Sequence, residues 1–283
     1  MDAPARDGRI AFVLGGGGVL GAHEVGMLRA LAERGIDPDM VLGTSVGAVN
    51  GAFYAADPTL AGVERLPELW RESNWSDRSA GATLRRISTL ARSGTHLESP
   101  SEMRERLVEV LPVERVEELR VPFQCVAASI ERAAEHWFDS GPLADVVLAS
   151  CAVPGILPPI AIDGEHFIDG GIVNSIPVSR AVVLGARTIY VLQVGRLEQS
   201  LKPPRWPWEV GLVAFEVARR HRFAHDLHSL PDGVALHVLP TGGSSAPAYN
   251  DPTAPLRIGR MIGTIDRQIN SAYEASVRYL EGD

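Results

Sequence analysis

The chain has 283 residues, and 35 acidic against 27 basic side chains leave a formal charge of −8 at pH 7. Hydrophobic residues make 45% and charged residues 22%, so the chain has material for a core and is not of the disordered class. The acidic balance argues against a nucleic-acid partner, because phosphate contacts need a basic surface.

The start, M-D-A-P-A-R-D-G-R, is polar, and the apolar run Ile10 to Leu14 is too short for a secretory leader. No apolar stretch reaches the roughly 18 residues that a membrane span needs. Cys125 and Cys151 are the only cysteines, too few for a disulfide framework. A reduced, cytoplasmic setting is expected, with any membrane contact peripheral.

Arg9 to Leu14 reads as a short strand that runs into four glycines, Gly15 to Gly18, followed by a helical pattern from Val19 to Arg34. Met40 to Leu42 is a second strand, Gly43-Thr44-Ser45-Val46-Gly47 a turn, and Ala48 to Ala56 a helix. Residues 60 to 115 read as mostly helical. Pro122 to Ser129 is a strand with His136 to Asp139 as its hairpin partner, and Leu143 to Ser150 is a helix. Val153 to Pro159 is broken by three prolines and a glycine. A short strand, Glu165 to Ile168, ends in Asp169-Gly170-Gly171. Helix Val178 to Leu184, strand Thr188 to Val194, helix Val210 to Leu230, strand Val234 to Leu239, a loop over Thr241 to Pro255 and a terminal helix complete the chain. Strands alternating with helices predict an α/β fold around a largely parallel sheet.

The glycines fall in chemically suggestive places. Gly16-Gly17-Gly18-Val19-Leu20-Gly21 fits the dinucleotide-binding pattern G-x-G-x-x-G. That reading expects an acidic residue closing the second strand, whereas Asp37 and Asp39 precede it. The alternative is a nest of backbone N–H groups that stabilises a negative charge, phosphate or oxyanion. Gly43 to Gly47 fits G-x-S-x-G between a strand and a helix, the setting of a nucleophile elbow at Ser45. A serine needs a base, and His237 is the best-placed late histidine, although it lies within a strand. His221, His225 and His228 share a helical face, but Arg219, Arg220 and Arg222 beside them read as a solvated basic face rather than a metal site.

The glycine run, G-T-S-V-G and D-G-G, in that order, resemble the patatin-like phospholipase family. Gly26 to Leu31, Ala149 to Pro159 and Asp163 to Pro177 extend the resemblance. It implies a three-layer α/β/α sandwich with a mostly parallel sheet and a serine–aspartate dyad without histidine. Ser45 would be the nucleophile and Asp169 the base. Gly17 and Gly18, with Gly16 shaping the loop, would form the oxyanion hole, and Gly21, Gly43, Gly47, Gly170 and Gly171 would support these turns. No metal or other cofactor is implied. The substrate would be a lipid or other acyl ester. The family often has Arg or Lys where this chain has Leu20. A single domain over 1–283 is expected, with its motif-bearing core at about 9–195, a helical cap at about 60–115 and a C-terminal extension, 196–283, packed on the core. Arg205-Trp206-Pro207-Trp208 and Arg219 to Arg222 are candidates for transient contact with a membrane surface. A second reading keeps the fold but only binds a lipid or a protein.

Overall fold

The computed structural model describes residues 8–72, 88–89, 92–93, 95–194, 200–204, 207–242 and 265–282. Its centre is an eight-stranded sheet. Strands β1 (Arg9–Leu14), β2 (Met40–Thr44), β3 (Phe123–Ser129), β4 (Ala134–Phe138), β5 (Ile160–Ile162), β6 (Glu165–Asp169), β7 (Ala186–Leu192) and β8 (Ala235–Val238) follow the order β5-β6-β3-β2-β1-β7-β8, with β4 also on β3. Pairs β1/β2, β2/β3, β1/β7 and β7/β8 are parallel. Pairs β3/β4, β3/β6 and β5/β6 are antiparallel.

The parallel core is buried on both faces. In β1, Phe12 and Leu14 point into one apolar cluster while Ala11 and Val13 point into the other, the period of two that a strand dictates. The first cluster is covered by α1 (Ala22–Glu33), α2 (Val46–Ala56), α3 (Leu60–Glu72), α4 (Pro100–Val110) and α5 (Leu143–Ser150). The second is covered by α7 (Val178–Val183) and α8 (Pro207–His228), which follow the one-turn helix α6 (Gly171–Asn174). The terminal helix α9 (Ile265–Glu281) lies along α1 and buries Ile269 and Ala272 in the first cluster. Three layers result, as the family resemblance implies.

The register of β3 positions the site. Residues Ala127 to Ser129 pair with both β4 and β6, which must therefore lie on opposite edges. The β4 pairing overlaps the β2 pairing at Cys125 and Val126, so β2 and β6 share one edge. Along that edge β2 ends with Thr44 opposite Val126, and β6 ends with Asp169 opposite Ala127. Two strands of opposite direction thus meet end to end, and the turns that follow them converge.

Described parts of the 60–115 segment are anchored in the body. Val63, Leu66 and Trp70 of α3 and Leu107 of α4 are buried. Ser99 caps α4, its hydroxyl accepting from the Glu102 N–H, and Pro100 follows at the first helical position. Residues 73–87 of the expected cap, Arg205 and Trp206 of the expected patch and most of the Thr241 to Pro255 loop lie outside the described residues.

Candidate active site

Ser45 follows the last residue of β2 and stands at the N-terminus of α2 with φ 54° and ψ −123°. A non-glycine residue with positive φ is strained, and such strain concentrates at functional turns. The flanking glycines make the turn sterically possible. A Cβ on Gly43 would lie 2.5 Å from the Gly47 carbonyl oxygen, and one on Gly47 would lie 2.3 Å from that of Leu14. The Ser45 N–H donates to Ser150 Oγ at 2.9 Å, and that hydroxyl donates to the Val126 carbonyl at 2.7 Å. Ser150 therefore ties the turn to β3. The motif reading missed this residue, although it lies in the Ala149 to Pro159 block.

Asp169 is 1% exposed. Its Oδ1 accepts from the Gly171 N–H at 2.7 Å, while Oδ2 is buried without a hydrogen-bond partner. Burial pushes the carboxyl from 3.8 up to about 6, against the Ser45 hydroxyl and the Gly171 N–H, which favour the charged form. The Ser45 hydroxyl thus adjoins the Asp169 carboxyl, and Oδ2 accepts no formed hydrogen bond from it. Gly170 leads out of β6, its N–H turned toward the Ser150 carbonyl at 3.4 Å. Thr44 Oγ1 donates to the Asn174 carbonyl at 2.9 Å and ties the end of β2 to α6.

The glycine loop lies against Ser45. A Cβ on Gly16 would sit 3.4 Å from Ser45 Cβ and 3.2 Å from Ser175 Oγ. The Gly15 N–H donates to the Leu192 carbonyl and the Gly16 N–H to the Ser175 carbonyl, both at 2.9 Å. Gly16 is thus committed to holding the loop. Among the described residues, neither Gly17 nor Gly18 donates its N–H to a backbone carbonyl. Both precede or open the 3-10 turn Gly18–Gly21, where leading N–H groups have no acceptor within the turn.

A buried polar network supports this loop from α1 and α2. Asn50 Nδ2 donates to the Gly21 carbonyl at 3.0 Å and to Glu24 Oε2 at 2.7 Å, and Trp70 Nε1 donates to Asn50 Oδ1 at 3.0 Å. Burial pushes the Glu24 carboxyl well above the usual carboxylate range. Burial also raises the Cys151 thiol, which adjoins Ser45 and Asp169, so it stays protonated and is no rival nucleophile at neutral pH.

Two expectations about charged residues need correction. His237 lies in β8, stacked on Tyr190 at 4.8 Å, with β7 and β1 between its strand and that of Ser45. It cannot serve Ser45. The arginines of α8 do not form a solvated basic face. Arg219 is 6% exposed and paired with Glu216, Arg220 also pairs with Glu216, and Arg222 pairs with Asp226. Each cation has an acid one helical turn away, which removes it from the surface charge.

The family model of patatin-like phospholipases matches residues 12–182, more than half of the chain. The chain belongs to the patatin-like phospholipase family. It is 33% identical over 193 residues to a patatin-like phospholipase domain-containing protein of Caenorhabditis elegans, covering 68% of this chain and 14% of that protein. It is 30% identical over 191 residues to the lysophospholipase NTE1 of Mycosarcoma maydis, covering 68% and 10%. The chain therefore spans about a seventh or less of these relatives' length. VipD from Legionella pneumophila shares the fold with a TM-score of 0.50 at 17% identity, covering 97% of this chain and 67% of that one. Human GIVD cytosolic phospholipase A2, solved with a fluorophosphonate inhibitor, also scores 0.50 at 14% identity, covering 100% and 59%. Among the described residues, no helix is long and apolar enough to cross a membrane.

Proposed function

We propose that the chain is a serine acyl hydrolase that cleaves carboxylic ester bonds of lipids. The observation that carries this reading is Ser45 on a strained turn facing the buried carboxyl of Asp169. Ser45 attacks the ester carbonyl while Asp169 accepts its proton. The N–H groups of Gly17 and Gly18 donate to the oxyanion, aided by the positive end of α2. The intermediate collapses, the alcohol leaves with the proton from Asp169, and an acyl group remains on Ser45. A water then gives its proton to Asp169, attacks the acyl group and releases the fatty acid, and the proton returns to Ser45. The chemistry draws on this chain's own groups.

A carboxyl titrating near 6 suits this work. It is ionised at neutral pH, yet is a better base than an exposed aspartate. The family, and a relative named a lysophospholipase, support phospholipids or lysophospholipids as the substrate class. Leu20 offers no cation to an anionic head group, so the reading extends to neutral lipid esters.

Ser45→Ala and Asp169→Asn are each expected to cut p-nitrophenyl-ester turnover by at least about 10²-fold, as loss of a nucleophile or base does. A fluorophosphonate probe should label Ser45. Wild-type turnover in folded variants, or labelling elsewhere, would overturn the assignment. No turnover on a broad ester panel, with no labelling of the folded wild type, would leave the lipid- or protein-binding reading.

A further inference from the structure

Helix α8 is amphipathic in an unusual sense. It buries Glu216, Arg219, Phe223 and Asp226, spaced along one face, and leaves Val210 and Val217 more than half exposed. A helix settled by hydrophobicity alone would bury the valines. The buried face leads to the glycine loop. Arg219 Nη1 donates to the Gly16 carbonyl at 3.1 Å, across 203 positions of sequence. Its other edge is spent on Glu216, with Nε donating to Oε2 at 3.0 Å and Nη2 to Oε1 at 3.1 Å.

The Gly16 carbonyl and the Gly17 N–H belong to one planar peptide group. A guanidinium donating to the carbonyl fixes the plane, and so fixes where the N–H points. It also polarises the amide, which makes the N–H a stronger donor, as hydrogen bonds in series do. We propose that Arg219, held by Glu216, positions and polarises the Gly16–Gly17 peptide as an oxyanion donor. Arg219 is a positioning residue that acts through Gly17. It provides from the C-terminal part of the chain, beyond the residues matched by the family model, a cation for a loop that carries Leu20. The bidentate pair with Glu216 neutralises it, and burial withholds it from solvent. It therefore aims a donor at the loop and does not bind an anionic head group. The inference rests on the reading of the glycine loop as the oxyanion site.

Arg219→Met alone leaves the buried Glu216 with only the more exposed Arg220 as its partner and risks misfolding. The decisive variant is the double substitution Arg219→Met with Glu216→Leu, which removes both charges and keeps apolar volume. Active sites are titrated with a fluorophosphonate, and kcat, KM and the affinity of a trifluoromethyl ketone are measured. The ketone adds to the serine and forms an oxyanion, so it reports the hole directly. The expected result is a kcat at least about 10-fold lower per titrated site, KM changed by less than about 3-fold, and ketone affinity reduced in step with kcat/KM. Arg219→Lys, which keeps the charge without the fork, should fall between wild type and the double variant. Wild-type kcat and ketone affinity in the folded double variant would overturn the inference, as would lost thermal stability with unchanged kinetics. An inactive, unlabelled wild type would instead overturn the reading of the site itself.

Discussion

Asp169 is pulled in two directions by the place that makes it useful. Moving its titration from 3.8 to about 6 means that the ionised form costs the fold about 3 kcal/mol at neutral pH. Because the folded-state value is the higher one, this cost is absent below the ordinary value of 3.8. It grows as pH rises toward 6 and is complete above that. Asp169→Asn keeps an oxygen for the Gly171 N–H and carries no charge. It should therefore melt above wild type at pH 8, with the difference closing at about pH 4, as measured by thermal scans across pH. Activity runs the other way, since the base must be ionised. kcat/KM should fall about tenfold per pH unit below pH 6 and level off above about pH 7. A profile flat down to pH 4.5 would mean that Asp169 is not the base. Ser150 poses a smaller version of the same question, because its single hydroxyl joins the Ser45 N–H to the Val126 carbonyl. Ser150→Ala leaves both groups buried and unpaired, so unfolding in urea should show a loss of about 1–3 kcal/mol. The elbow should loosen as well, lowering kcat more than it raises KM.

Among the elements, the site is made where strands end. The turns after β1 and β2 emerge on the same side because those strands are parallel, and β6 delivers Asp169 to the same place from the opposite direction. Local chemistry made much of this legible. The strand at Arg9 to Leu14, the helix at Leu143 to Ser150 and the hairpin after Ser129 follow from periodicity and turn residues, and the motifs pointed to Ser45 and Asp169. Strand β2 runs on to Thr44, past the expected Leu42, because pairing with β3 continues to Val126. Strand β5 was hidden because it is three residues long and follows a proline-rich stretch, so its extended form comes from pairing with β6 rather than from propensity. The reach of Arg219 was hidden for another reason. Arg219, Arg220 and Arg222, beside three histidines on one helical face, read as a solvated basic face. Only the packing of α8 across the sheet shows that this face turns inward.

At the scale of the whole molecule, the segment shared with the family model is not a complete folding unit. The match ends at residue 182, yet β1, in the middle of the sheet, pairs along its second edge with β7 at Ala186–Leu192. The Gly15 N–H is bonded to the Leu192 carbonyl, so the glycine loop itself is held by chain beyond the match. Farther on, α9 crosses α1 so closely that a Cβ on Gly26 would lie 2.1 Å from the Ile269 carbonyl oxygen. Glycine is required there by the approach of two backbones, not by a turn. Arg34 with Glu281 and Tyr273 with Glu33 flank the crossing. A protein cut after residue 182 should therefore expose both an unpaired edge of β1 and the apolar face of α1. It should lack a cooperative melting transition and fail to react with a fluorophosphonate. Gly26→Val in the full chain is the finer test, because it alters no residue of the site. It should separate α9 from α1 and lower stability by several kcal/mol, as overpacking against backbone does. Amide exchange should then rise in α1 and α9 together. If exchange rises in α9 alone, the terminal helix is an appendage and the loop stands without it; a joint rise means that the site depends on both ends of the chain.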